Sequence, residues 1–211
     1  IGDPAGKSAE RNLLDRDTLA ANLARQRGQI ERIFARAEAE VEILDNAAWL
    51  DQITAIDFLR DVGKHFSIGE LLRRETVRRR LEQPEATLSF TEFSYALLQA
   101  YDFLRLAADH GVTLQLGGSD QWGNIVGGVE LVRKVRRQVV FGLTAPLLLR
   151  SDGTKFGKSE SGAVWLDADR TSPYALYQFL LNHSDEDAAR MARFFSLASQ
   201  KELDELLATH A

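Results

Sequence analysis

The sequence predicts an α/β chain, an open parallel sheet followed by a helical segment. Three observations carry that reading. Short apolar runs alternate with longer stretches of helical periodicity over the first 150 residues; one such run passes into a helix through Gly117-Gly118; and after Ser172-Pro173 only helical periodicity remains.

Taken in order, Asp15–Ala37 carries Leu19, Leu23, Ile30, Ile33 and Phe34 at near-helical intervals, and Val41–Leu44 reads as a short strand. Thr54–His65 and Ile68–Gln83 read as helices, with Gly63 and Gly69 as punctuation and Pro84 as the stop. Phe90–Asp109 is a longer helix ended by Gly111. Val112–Leu116 reads as a strand running into the paired glycines, and Asn124–Arg137 as the helix after it. Val139–Phe141 and Leu147–Leu149 are expected strands on either side of Pro146, and Val164–Leu166 a third. Pro173 at an early helical position opens the final helical region. The expected division is 1–150, with an insertion at about 45–90, and 151–211.

Composition excludes several classes. The 211 residues carry 26 Lys+Arg against 31 Asp+Glu, a formal charge of −5, with 45% apolar content. The apolar run Val139–Leu149 falls well short of the roughly 20 residues that span a bilayer, so no membrane span is expected. With no Cys and four scattered His, a disulfide framework, a thiolate site and a metal centre are all disfavoured, and a reducing cytoplasm fits. The chain begins at Ile1 with no charged leader before an apolar stretch, and reads as truncated. Two basic clusters, Arg73–Arg80 and Arg133–Arg137, are either solvated helix faces or phosphate contacts.

Three loci could carry chemistry. In Phe93–Leu104, at ~100° per residue, Tyr95, Gln99 and Asp102 fall at about 0°, 40° and −20°, a narrow polar stripe on an otherwise apolar helix. Such a helix is buried, so the stripe faces either a ligand or a polar neighbour. Gln115–Asn124 lies where a strand gives way to a helix, the usual ligand crevice of an open α/β sheet; it also suits a tight turn capped by Ser119 or Asp120. Lys155 and Lys158, three apart in the Gly-containing loop Asp152–Ser159, could close on a polyphosphate or form a solvated turn. Neither this loop nor Gly2–Ser8 is a P-loop, because only three residues separate the glycines where that pattern has four.

Together these stretches resemble bacterial tyrosyl-tRNA synthetase, a class I aminoacyl-tRNA synthetase. The resemblance runs through Ile1–Ser8, Phe58–Phe66, Phe90–Asp102, Leu116–Asn124, Asp152–Ser159 and Ser172–Tyr174, in the family's order. It implies a Rossmann-like catalytic domain that joins L-tyrosine to ATP with Mg²⁺, without a tightly bound cofactor, and passes the tyrosyl group to the 3′ end of tRNA(Tyr). By the same resemblance Asp3, Tyr95 and Gln99 bind the substrate ammonium, Asp102 takes the phenol hydroxyl, and Gln121 lines the tyrosine site. Gly118 and Asp120 face ATP, and Lys155, Lys158 and Ser159 match the loop that stabilises pyrophosphate. Arg133 and Lys134 are the candidates for an acceptor-stem contact, and a cytoplasmic homodimer through residues around Phe58–Phe90 is implied.

The family's HIGH motif would precede Ile1, and His65–Gly69 only superficially resembles it, so the chain reads as a catalytic-domain fragment, inactive alone. The competing readings are a tryptophanyl-tRNA synthetase-like enzyme and a non-catalytic synthetase-like RNA-binding protein. Asp102 favours tyrosine over tryptophan, and the two lysines favour catalysis over simple docking. In the full-length enzyme that the resemblance implies, Lys158→Ala is expected to slow tyrosine-dependent pyrophosphate exchange far more than it weakens tyrosine binding; equal losses would remove the leaving-group role.

Overall fold

The computed structural model describes residues 3, 13–82, 88–149, 158–159 and 162–209. The chain forms two compact units, Ile1–Leu147 and Leu148–Ala211.

The first unit is organised around two helices and a parallel strand pair. Helix α1 (Arg16–Arg36) starts at Asp15, whose carboxylate accepts from the Thr18 amide at 2.7 Å, and it buries none of its residues. Two short helices follow, α2 (Ala47–Leu50) and α3 (Ala55–Asp61), the latter capped by Thr54 and continued by a 3₁₀ turn at Gly63–His65. The expected helix over 68–83 divides into α4 (Ile68–Leu72) and α5 (Glu75–Leu81), because Arg74 between them is extended, with φ −60° and ψ 136°.

Helix α6 (Phe90–Asp109) matches its expected bounds, since both ends are written in local chemistry. At its start Ser89 and Glu92 form a capping box. At its end Gly111 takes φ 67°, and the chain turns back so that the His110 and Val112 amides both donate to the Leu106 carbonyl.

Strand β1 (Leu114–Gly118), helix α7 (Trp122–Arg136) and strand β2 (Phe141–Ala145) form a β-α-β unit, the strands parallel with Leu114 opposite Phe141 and Gly118 opposite Ala145. Both strands begin two residues later than apolar content suggests. The Val112 amide is committed to ending α6, and a parallel ladder extends only where both partners have free backbone groups. One face of the pair lies against α7; the other leaves Leu114, Leu116, Phe141 and Leu143 exposed.

The core lies between α6 and α7. Phe103, Ile125, Leu131, Val62 and Val132 are fully buried, with Trp49, Tyr101 and Val140 beside them. Gly128 permits this contact, because a Cβ there would stand 2.9 Å from the Phe103 ring.

The second unit contains an antiparallel pair, β3 (Lys158–Ser159) with β4 (Gly162–Ala163), then α8 (Pro173–Leu181), α9 (Asp185–Phe195) and α10 (Gln200–Thr209). Helix α8 has Ser172 as its cap and Pro173 as its first residue, as expected.

The strands expected at Val41–Leu44 and Val164–Leu166 do not form, and of Leu147–Leu149 only Leu149 makes an isolated bridge. The Ile43 carbonyl accepts instead from the Arg27 guanidinium at 2.7 Å, and the Trp165 amide donates to the Thr171 hydroxyl at 2.9 Å. β-branched residues favour a strand only where a neighbouring strand receives them. No helix among the described residues is long and apolar enough to cross a membrane.

Phe103→Ala would remove the largest fully buried side chain, and the cavity facing Gly128 is expected to cost about 3–5 kcal/mol. Urea unfolding of the two proteins measures that loss; a change below about 1 kcal/mol would mean that the α6–α7 contact does not carry the unit's stability.

Candidate active site

The polar stripe of α6 is real, and its C-terminal member is the most constrained. Asp102 is half-buried, and each of its oxygens has a donor: Trp49 Nε1–H donates to Oδ1 at 2.7 Å, and Asn46 Nδ2–H to Oδ2 at 3.0 Å. Burial pushes the Asp102 carboxyl above the usual carboxylate range, and the two hydrogen bonds pull it part of the way back. A carboxylate oxygen has about two acceptor positions, so an Asp held by one donor on each oxygen still has room for a hydroxyl donor. One turn earlier, Gln99 Oε1 is buried with no hydrogen-bond partner. A buried, unpaired amide oxygen is costly until a donor such as an ammonium meets it. Tyr95 is half-buried on the same stripe.

A second cluster sits where β1 ends. Asp3 Oδ2 accepts from Gln121 Nε2 at 2.6 Å and from Asn124 Nδ2 at 3.4 Å, and Asn124 Nδ2 also lies 3.3 Å from Gln121 Oε1. A 3₁₀ turn, Ser119–Gln121, carries Asp120 and leads directly into α7. At Gly118, the last residue of β1, a Cβ would stand 2.7 Å from Asp120 Oδ1 and 2.9 Å from Leu147, so those two side-chain tips would have to give way. Gly118 lies at the carboxyl end of a parallel strand, where nucleotides approach in open α/β sheets.

The remaining expected residues fall in different settings. Arg133 is held by its own helix, with Nη2 2.6 Å from Glu130 Oε2. Lys134 Nζ donates to the His65 carbonyl at 3.0 Å. Lys134 also lines a cleft of about 420 Å³ with Phe66, Glu70, Arg74 and Glu130. Burial holds the Arg74 guanidinium below its usual range, and its Nη1 has no partner; burial, then the nearby Lys64 and Lys134 charges, lower His65. Lys158 and Ser159 lie in β3 of the second unit. Lys155 lies outside the described residues. Among the described residues no three His, Asp or Glu are grouped so as to hold a metal ion.

The structure therefore brings Asp3 to Gln121, and Asp102 to two residues that the sequence reading passed over. Asn124, three positions after Gln121 at a helix start, was legible from spacing. Asn46 and Trp49 were not, because nothing local links them to a residue more than fifty positions away.

The chain belongs to the class I tRNA synthetases: residues 1–211 match the family described as tRNA synthetases class I (W and Y). Among its relatives, the tyrosine–tRNA ligase 1 of Pseudoalteromonas translucida (strain TAC 125) is 49% identical over 205 residues, covering 97% of this chain and 49% of that protein. The tyrosine–tRNA ligase of Rhodopirellula baltica is 51% identical over 208 residues, covering 98% of this chain and 47% of that protein. A solved structure, a C-terminally truncated mitochondrial tyrosyl-tRNA synthetase of Aspergillus nidulans, superposes with a TM-score of 0.75 at 30% identity, covering 99% of this chain and 62% of that one. The corresponding protein of Coccidioides posadasii gives 0.77 at 28% identity, covering 100% and 62%. The chain spans about half the length of the curated relatives it matches.

Because Asp102 is raised in the folded state, the folded chain holds that proton more readily than the unfolded chain does. Its contribution to stability is present at pH below the ordinary Asp range and is lost as pH rises through the raised value. Trp49→Phe keeps a ring in the core but deletes the N–H, so the Asp102 midpoint is expected to move further up, as followed by carboxyl ¹³C NMR. An unchanged midpoint would show that the indole does not stabilise the anion.

Proposed function

We propose that this chain forms the amino-acid-gripping part of a tyrosine–tRNA ligase, which activates L-tyrosine with ATP and transfers it to tRNA(Tyr). The observation that carries the reading is Asp102: a half-buried carboxylate, oriented by Trp49 and Asn46, on the same helical stripe as the unpaired Gln99 oxygen. A phenol hydroxyl gives Asp102 a further donor, whereas a bare phenyl ring displaces water and gives nothing in return. Gln99, Tyr95 and Asp3 take the substrate ammonium, and Gln121, already bonded to Asp3, closes the other side of the amino acid. The relatives named above are tyrosine–tRNA ligases, which favours tyrosine over the tryptophan that the family also includes.

In the reaction the tyrosine carboxylate attacks the α-phosphorus of ATP and pyrophosphate departs; the terminal ribose hydroxyl of the tRNA then attacks the tyrosyl carbonyl and releases AMP. Gly118 and Asp120 face the nucleotide, Mg²⁺ enters with the ATP phosphates as part of the substrate, and Lys155, Lys158 and Ser159 meet the charge that develops on pyrophosphate. Arg133 and Lys134 lie beside the acceptor stem. A homodimer forms through residues around Phe58–Phe90, where Ile56, Leu59, Ile68 and Phe90 are each more than half exposed. The protein works in the cytoplasm.

Calorimetric binding of L-tyrosine and L-phenylalanine to the parent and to Asp102→Asn tests the reading. The parent is expected to prefer tyrosine, and the variant to lose roughly one to two powers of ten of that preference, the worth of one charge-assisted hydrogen bond of about 1.5–3 kcal/mol. Unchanged selectivity would move the phenol partner elsewhere.

A further inference from the structure

The polar stripe of α6 extends one turn beyond the residues assigned to the ligand. At ~100° per residue Glu92 falls about 60° from Tyr95, on the same side as Gln99. Glu92 is 4% exposed, and its Oε2 lies 3.4 Å from Nη2 of Arg80 on α5, itself 5% exposed. The stripe thus ends in a carboxylate at each extremity, and each is met by donors from the segment that precedes the helix: Asp102 by Asn46 and Trp49, Glu92 by Arg80. Between them, Gln99 Oε1 is left without a partner.

A buried ion pair is a poor source of stability, because desolvation offsets most of the attraction and two apolar side chains would hold the same space as well. What it supplies is direction: Arg80 Nη2 at 3.4 Å and the Ser89 amide at 3.5 Å both reach Glu92 Oε2, while Glu92 Oε1 is buried without a partner, so rotation of the side chain has little to gain elsewhere. Glu92 also closes the capping box with Ser89, so one side chain fixes both where α6 begins and which way it is turned. On a helix about 5 Å in radius, a rotation of ~20° would carry a side-chain tip about 2 Å, enough to break a hydrogen bond.

We propose that Arg80 and Glu92 are a positioning pair: they set the start and rotational phase of α6 and thereby aim Tyr95 and Gln99 at the amino acid. The proposal rests on the reading of α6 as the tyrosine wall. An apolar replacement of both charges separates positioning from stability.

The experiment compares the parent chain with Arg80→Met/Glu92→Leu by thermal midpoint, by the ¹H–¹⁵N resonance of the Trp49 indole, which reports its hydrogen bond to Asp102, and by calorimetric affinity for L-tyrosine. The expected result is a midpoint within a few degrees of the parent, a displaced indole resonance and about tenfold weaker tyrosine binding. An unmoved resonance with parental affinity would overturn the proposal. A displaced resonance with parental affinity would show that the pair sets the helix but that α6 does not hold tyrosine, and both readings would fall. Should the parent bind no tyrosine, the functional reading fails, and an unmoved resonance would then refute the positioning role as well. If the double variant does not fold, Arg80→Lys, which keeps the charge and loses the planar fork, is read by the same signals: a smaller displacement with about threefold weaker binding supports the pair, and parental values refute it.

Discussion

A carboxylate turned toward the interior must find donors, and much of the first unit is arranged so that Asp102 does. The indole of Trp49 and the amide of Asn46 reach it from a four-residue helix that would have little reason to exist alone. Trp49 is at once core and hydrogen-bond donor: its ring belongs to the apolar cluster between α6 and α7, and its N–H leaves that cluster to meet the Asp. Packing and electrostatics therefore meet in one side chain, and the orientation of the candidate phenol acceptor inherits the rigidity of the core.

The two candidate subsites are built by different means. The side-chain end of the amino-acid site depends on long-range hydrogen bonds onto a helix face. The other end depends on backbone: a parallel strand that stops at Gly118, a single 3₁₀ turn, and a helix that begins within four residues. The first suits discrimination, because a buried polar group left unmatched is expensive. The second suits close approach, because Gly118 adds no side chain of its own.

How much of this was legible in the sequence depended on whether the information was local. Helix α6 matched its expected bounds because Ser89, Glu92 and Gly111 lie within one turn of the ends that they define. The polar stripe was likewise a matter of spacing. Two strands were displaced, and three did not form, because a strand is completed by a partner that the local sequence does not contain; Ile43 and Trp165 met side chains instead. The role of Asn46 and Trp49 was invisible for the same reason. Of the second basic cluster, the Arg133–Glu130 pair is local, three positions apart on one helix, and agrees with the solvated-face reading, whereas the contact of Lys134 with the His65 carbonyl spans 69 positions and only three-dimensional proximity reveals it.

The turn that ends α6 has a consequence for the spacing of the two candidate subsites. The Leu106 carbonyl receives both the His110 and the Val112 amides, and β1 begins two residues after Val112. Helix α6 and strand β1, which carry the two candidate subsites, are thus joined by a short connection with little slack. That connection acts as a gauge block. A residue added between Gly111 and Leu114 would loosen that gauge and let the face of α6 that carries Asp102 drift against the strand that ends at Gly118.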